Sequence, residues 1–225
     1  MRSRTGLVGR AMLRLVGGTV LAGVVLFVPA GTIDWWQAWL FLATLTALML
    51  TIAIYLAIVD PALLDRRLRS REREAEQRRL IVIGTVSFVV GFLVPGIDRR
   101  FGWSDVPTGV VLVGELGVIL GYALFAIVMR VNSYASRIIE VAEGQQVVTN
   151  GPYAVVRHPM YVAALIIYLA TPLVLGSWWG LLAMLAQIPV YVARIQGEER
   201  VLARDLPGYV AYMQRTRFRL LPGIW

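Results

Sequence analysis

Cysteine is absent from the 225-residue chain, and histidine occurs once, at His158. The lack of cysteine excludes disulfide bonds, cysteine–zinc sites and a cysteine nucleophile. A single histidine also excludes a histidine-rich metal site, which leaves only a carboxylate metal site open. Lysine is missing as well, and all 22 basic residues are arginine. The familiar metal and thiol chemistries are therefore excluded before any motif is considered.

Apolar residues make up 58% of the chain, and its mean hydropathy is +0.67. Soluble domains usually contain about 45–50% apolar residues. Four long apolar runs account for much of the excess: Ala11–Ala30, Trp35–Val59, Leu80–Ile97 and Pro107–Met129. Each run approaches the ~20 residues that a helix needs to cross a bilayer. These runs predict four transmembrane helices.

A fifth apolar segment, 161–192, differs because Pro172, Gly176 and the turn "GSWWG" interrupt it. Each arm is about 15 residues long, which is short for an independent span. A helical hairpin that enters and returns would pair its backbone groups by packing on the other helices. The sequence therefore predicts an all-α integral membrane protein of one domain. Four N-terminal spans occupy residues 1–129, and 130–225 form a second half containing the membrane hairpin.

The net charge of +8 is not spread evenly along the chain. Arginines fall in blocks between apolar runs, with seven of them in 60–79. Such blocks are typical of cytoplasmic loops beside anionic lipid, so we expect membrane lipids and not nucleic acid as partners. The positive-inside rule predicts that both termini, 60–79 and 130–160 are cytoplasmic, in a bacterial inner membrane. Residues 1–30 could alternatively be a signal peptide, but three further spans with consistent charge alternation favour a retained helix.

Two other polar features admit more than one interpretation. Leu63–Leu80 alternates charge at helical spacing, which is typical of a solvated or interfacial helix. Glu115 lies inside the fourth apolar run, and an intramembrane carboxylate is a functional candidate. Glu115 is also only eight residues from Pro107, so it could simply lie near the outer interface.

The polar residues that flank the hairpin form a more specific pattern. Closure of the hairpin would bring His158 near Glu198. Arg194 and Glu198 are spaced i,i+4 and share one helix face, next to an apolar run. That pair is either a surface salt bridge of little energetic value or part of a site. The proline after His158 indicates a helix start, whose free N–H groups favour anionic ligands.

The motif "VVTNGPYAVVRHPMY", the apolar hairpin, "EER" and "PGYVAYMQRTRFRLLPGIW" together resemble the isoprenylcysteine carboxyl methyltransferase family. Phosphatidylethanolamine N-methyltransferases are distant relatives with a similar arrangement. The resemblance covers roughly residues 130–225, whereas the earlier residues resemble the family only as apolar spans. It implies cofactor-binding loops on the cytoplasmic side and a membrane site for S-adenosylmethionine.

The resemblance also implies roles for individual residues. The positions that match the family's cofactor contacts are Gln145, Val147, Val148, Tyr153, Arg157, His158, Pro159, Met160 and Glu198. Arg194 matches the residue that engages the substrate. Eukaryotic members have a histidine where this chain has Gln145, which leaves the substrate open.

The function implied is S-adenosylmethionine-dependent methyl transfer to a lipid-like or prenylated substrate that enters from the bilayer. Carboxyl O-methylation of an isoprenylcysteine-like molecule needs no base, because the carboxylate is already an anionic nucleophile. Phospholipid amine N-methylation would need a base, with Glu199 or His158 as candidates. An NADPH-dependent membrane reductase and a non-enzymatic membrane scaffold are the remaining alternatives. No G-x-G-x-x-G dinucleotide fingerprint supports the reductase.

Overall fold

The computed structural model describes residues 4–68, 75–135 and 141–225, and these residues contain helices but no strands. The helices are α1 (Arg4–Ala30), α2 (Trp36–Val59), α3 (Pro61–Arg67), α4 (Ala75–Phe101), α5 (Thr108–Val131), α6 (Pro159–Val174), α7 (Trp178–Leu185), α8 (Gln187–Asp205) and α9 (Tyr209–Arg215). A short 3-10 turn, Gly151–Ala154, precedes α6. The predicted all-helical membrane architecture is confirmed.

Five helical segments in the described part of the chain are long and apolar enough to cross a membrane. Four of them, within α1, α2, α4 and α5, correspond to the four predicted apolar runs. The helices extend beyond those runs into charged sequence, for example from Ala11 back to Arg4 and from Ile97 on to Phe101. Charged residues do not end a helix, so the loss of hydrophobicity marks the edge of the lipid and not the end of the helix.

The fifth apolar segment forms a hairpin, as predicted, but its second arm is longer than the sequence indicates. Its first arm, α6, is short at 16 residues, but α7 and α8 together span Trp178–Asp205, which is 28 residues. Pro172 lies inside α6 and does not break it; the chain turns at Gly176, whose φ of +72° is left-handed. Glycine accepts this conformation without a Cβ clash. The Ser177 side chain then caps α7 by accepting from the Gly180 N–H, at 2.8 Å.

Helix α5 packs closely against α6 because glycines line its contact face. A Cβ built on Gly114 would lie 2.8 Å from the Leu173 Cβ, and one on Gly121 would lie 2.6 Å from the Ile167 Cγ1. Small residues at such spacing let membrane helices approach until their backbones nearly touch. The register shows that α5 and α6 run antiparallel. This contact holds the start of α6, where His158 lies, against the end of α5.

The main apolar core lies where α1, α2, α4, α5, α6 and α7 meet, around the fully buried Trp35, Phe41 and Met184. Glu115 lies on α5, is only 7% exposed, and neither carboxylate oxygen has a hydrogen-bond partner among the described residues. Glu115 is therefore buried between helices of the protein. Part of the predicted charged helix Leu63–Leu80 is seen as α3 and the start of α4, and residues 69–74 lie outside the described residues.

Candidate methyl-transfer site

The start of α6 is held in place by backbone hydrogen bonds from a distant part of the chain. His158 is the N-cap residue and Pro159 is the first helical residue, as the sequence predicts. The Arg157 N–H donates to the Phe218 carbonyl at 2.9 Å, and the His158 N–H donates to the Arg219 carbonyl at 3.0 Å. Residues 218 and 219 thus run alongside the segment before α6 and fix its position.

A buried charge cluster lies beneath this backbone pairing. Glu199, on α8, accepts hydrogen bonds from Arg157 Nε at 2.7 Å and Arg219 Nε at 2.8 Å, and it lies 3.1 Å from His158 Nε2. Arg157 also donates through Nη1 to the Thr216 carbonyl, at 2.9 Å. The side chains of Arg157, His158 and Glu199 are all at most 6% exposed. These contacts confirm that the two ends of the hairpin meet. The glutamate that contacts His158 is Glu199, however, and not Glu198 as predicted.

The Glu198 carboxylate belongs to a second network, on the neighbouring face of α8. The Tyr161 hydroxyl donates to Glu198 Oε2 at 2.7 Å and accepts from Arg194 Nε at 3.1 Å. Arg194 and Glu198 are thus linked through Tyr161, which is half-buried one turn into α6. Arg194 directly follows the apolar part of α8. The three linked side chains therefore lie between the apolar surface of the helices and the polar loops.

Tyr153 connects the loop before α6 to the end of α5 and to α9. Its hydroxyl accepts from Asn132 Nδ2 at 2.8 Å, and its carbonyl accepts from the Tyr212 hydroxyl, also at 2.8 Å. Burial raises the pKa of Tyr153 above its usual range and raises the pKa of Tyr212 to about 12. Both phenols therefore stay neutral at physiological pH and keep their O–H groups. The buried Tyr209 hydroxyl has no hydrogen-bond partner among the described residues.

The remaining predicted residues surround these networks. Val147 packs with Leu206, Tyr209 and Tyr212, and Tyr153 contacts the same cluster. The Gln145 side chain accepts from the Ala142 N–H at 2.9 Å, which closes a tight turn. Other predicted contacts lie in the loop or at the start of α6: half-buried Val148, buried Pro159 and half-buried Met160.

Sequence reasoning missed four residues of this region: Asn132, Tyr161, Tyr209 and Arg219. Tyr161 carries a detectable signal, because it follows His158 by three residues and therefore lies on nearly the same face at the start of α6. No local sequence pattern indicates Asn132 or Arg219, since tertiary packing brings each of them to the site from a distant part of the chain.

With this geometry established, comparison with known proteins gives a consistent result. Residues 110–206 match the phospholipid methyltransferase family. The matched segment runs from α5 through α8 and includes every predicted site residue. The chain as a whole has the fold of the eukaryotic intramembrane Ras methyltransferase ICMT, isoprenylcysteine carboxyl methyltransferase. That comparison has a TM-score of 0.56 and 21% identity, and it covers 91% of this chain and 74% of ICMT. The resemblance expected from the sequence is confirmed.

A further relative is the cobalt-zinc-cadmium resistance protein CzcN of Cupriavidus metallidurans. It is 34% identical over 136 residues, which cover 58% of this chain and 57% of CzcN. The chain thus spans somewhat more than half the length of this curated relative.

The side chains around these two networks have the chemistry needed to bind S-adenosylmethionine. The carboxylate of Glu198 can pair with an ammonium or accept from ribose hydroxyls. The neutral phenols of Tyr153 and Tyr209 can donate or stack, and the Tyr209 hydroxyl is buried without a partner in the described residues. Val147 and Met160 offer apolar surface. S-adenosylmethionine is polar and zwitterionic and carries an aromatic adenine ring, so its binding requires charged, hydrogen-bonding and apolar side chains together.

Proposed function

We propose that this protein is an integral membrane methyltransferase that moves the methyl group of S-adenosylmethionine to the carboxylate of a lipid-like acceptor, such as an isoprenylcysteine. The observation that carries the proposal is the Arg194–Tyr161–Glu198 chain, with hydrogen bonds of 3.1 and 2.7 Å beside apolar helices. An anion-binding arginine lies at one end and a cation-binding carboxylate at the other. The two ends match an anionic acceptor and a cationic donor.

When bound, S-adenosylmethionine supplies an activated methyl group on a positively charged sulfur. The protein then has to place the acceptor oxygen in line with that methyl group and to exclude water, and alignment of this kind can supply much of the rate. The forked guanidinium of Arg194 can hold a carboxylate through two hydrogen bonds. Tyr161 fixes the orientation of Arg194 by accepting from its Nε. The new C–O bond forms as the S–C bond breaks, and no proton has to move.

Glu199 has a different role in this proposal. Both of its oxygens already accept from arginine, and one also contacts His158, so it is poorly placed to accept a substrate proton. We assign Glu199 to positioning: it holds Arg157, His158 and Arg219 together beside the loop that precedes α6.

The match to the phospholipid methyltransferase family favours a second candidate, methylation of a phospholipid amine. A protonated amine must lose its proton before it can attack a methyl group. Glu198 could receive that proton through the Tyr161 hydroxyl, since a 2.7 Å hydrogen bond already joins them. The two candidates differ in what Arg194 would bind: the reacting carboxylate in the first, and the phosphate beside the reacting amine in the second.

The test uses the purified protein in lipid nanodiscs with tritiated S-adenosylmethionine. N-acetyl-S-farnesylcysteine and phosphatidylethanolamine are offered separately as acceptors, and titrations with NADPH are run alongside. We expect methylation of the farnesylcysteine acid, its loss in Arg194→Ala, and unchanged donor affinity in that variant. Methylation of phosphatidylethanolamine and not of the farnesylcysteine acid supports the amine candidate instead. Binding of NADPH without S-adenosylmethionine binding contradicts both.

The donor half of the proposal has its own measurement. His158→Ala and Glu198→Ala are expected to weaken binding of S-adenosylmethionine by about 1–3 kcal/mol, typical of losing a charge-assisted or buried hydrogen bond. The His158 effect is expected to be indirect, through Glu199. Unchanged affinity in both folded variants would reject the donor site.

A further inference from the structure

Arg67 ends α3, a short helix that lies outside the segment matched by the methyltransferase family. The sequence favours a solvated or interfacial charged helix here. The structure shows instead that Arg67 is half-buried, with Nη1 lying 3.3 Å from Met160 Sδ and 3.4 Å from the Ala135 carbonyl oxygen. Its guanidinium carbon lies 4.9 Å from the centre of the Phe125 ring. The N-terminal half of the protein thus brings a positive charge to the start of α6.

Helix α3 is firmly anchored, so this position is not incidental. The Asp60 side chain caps the helix by accepting from the Leu63 N–H at 2.8 Å, and Pro61 follows at the first position. Leu63 is fully buried and Leu64 is 5% exposed, both in an apolar cluster to which Met129 also belongs. Arg10 of α1 pairs with Asp65 at 3.0 Å. These contacts place the end of α3 against α5 and α6.

The charges around Tyr153 have complementary signs. Glu198 raises and Arg67 lowers the pKa of the Tyr153 phenol, so one anion and one cation lie near this neutral tyrosine. The amino-acid end of a methyl donor such as S-adenosylmethionine carries an ammonium and a carboxylate on the same carbon, which is the complementary arrangement.

We propose that Arg67 binds the α-carboxylate of the methyl donor, while Glu198 binds its ammonium. This rests on the proposed function and adds a donor-binding residue from outside the family-matched segment. Arg67 is assigned to the donor and not to the acceptor because it contacts Met160, whereas Arg194 contacts Tyr161 on the apolar side. A guanidinium is suited to this task because it presents paired donors in a fixed plane and stays charged.

Calorimetry with two probes tests the assignment. S-adenosylhomocysteine carries the carboxylate, and S-adenosyl-3-thiopropylamine is the same molecule without it. The wild-type protein is expected to prefer S-adenosylhomocysteine. Arg67→Gln should weaken the binding of S-adenosylhomocysteine by about 10- to 100-fold, which is typical of a lost hydrogen bond to a charged group. It should leave the affinity for the amine probe within about twofold, and Arg67→Lys should restore part of the preference.

Arg66→Gln is the matched control, because Arg66 precedes Arg67 on α3, donates to the Ser133 carbonyl and lies 5.9 Å from the centre of the Tyr134 ring. It should keep the wild-type preference between the two probes. If Arg67→Gln weakens both probes equally, Arg67 acts through packing and the assignment is wrong. Unchanged binding of both probes also overturns it. Failure of the wild-type protein to bind S-adenosylhomocysteine would instead reject the proposed function itself, and the Arg67 assignment with it.

Discussion

The Tyr161 hydroxyl links two charged residues, Arg194 and Glu198, to which we assign different roles. It accepts from Arg194 and donates to Glu198, and its ring packs edge-to-face against Tyr191, with centres 5.3 Å apart. The ring is therefore fixed by aromatic packing and the hydroxyl by two charged partners. A variant that lacks only the Tyr161 hydroxyl therefore separates the effect of the hydrogen bonds from the effect of the aromatic packing.

The first prediction follows from that separation. Tyr161→Phe keeps the ring but frees Arg194 from its orienting acceptor, so kcat for methyl transfer should fall about tenfold, while donor affinity stays within about twofold. Tyr168→Phe, on the same helix two turns away, is the control and should keep normal turnover. Equal rates for the wild type and Tyr161→Phe would show that Arg194 does not depend on this contact.

The second prediction concerns the buried carboxylate of Glu199. Glu199→Gln leaves the guanidiniums of Arg157 and Arg219 without their anion, and breaking a buried ion pair usually costs about 3–5 kcal/mol. We expect a large fall in the melting temperature followed by tryptophan fluorescence. Asp205→Asn removes a carboxylate from an exposed pair with Arg204 and should barely change it. Similar melting curves for the two variants would refute the positioning role of Glu199.

At the scale of the helices, the contact between α5 and α6 sets the geometry of the site. Gly114 approaches α6 so closely that an added Cβ would lie 2.9 Å from the Val174 backbone nitrogen. Backbone cannot move aside as a flexible side chain can, so the two helices would have to separate. Separation here would shift the start of α6 relative to Asn132 and Tyr153.

Gly114→Ala is accordingly expected to destabilise the protein by about 1–3 kcal/mol through overpacking. Gly109→Ala makes the same chemical change one turn and a half earlier on α5, where an added Cβ meets nothing within 4 Å. It should leave stability equal or slightly higher, because alanine favours helix more than glycine. Thermal unfolding of both variants in one detergent provides the comparison, and equal losses would contradict close packing at Gly114.

Helices were more predictable than contacts for a physical reason. Apolar runs identify spans because the lipid imposes their length, so the four spans and the apolar hairpin were found, although several helices extend beyond the apolar runs. The i,i+4 rule placed Arg194 and Glu198 on one face, but it could not choose between Glu198 and Glu199 as the partner of His158. That choice depends on the rotation of α8 about its axis. It also depends on Arg219, whose position is set by tertiary packing and not by any local pattern.

At the scale of the whole molecule, charge asymmetry predicts orientation. Residues near 70 and the segment after α9 belong to arginine-rich stretches, and the positive-inside rule places both on the cytoplasmic side. Alkaline phosphatase and green fluorescent protein fusions at residue 70 and after Trp225 should both report the cytoplasm. A fusion at Asp105, between α4 and α5, should report the opposite side. A periplasmic signal at residue 70 would overturn this topology.

The pairing of residues 218 and 219 with Arg157 and His158 also has a consequence for biosynthesis. A ribosome makes Arg219 after the five candidate spans of the described residues, so these spans can be inserted before residues 218 and 219 pair with the start of α6. A nascent chain that has been integrated into the bilayer but has not reached residue 219 cannot hold the α6 start in its final position. Insertion and the onset of activity are thereby separated in time. A stop codon between codons 206 and 216 would leave the five candidate spans intact and is expected to yield a membrane-inserted but inert product.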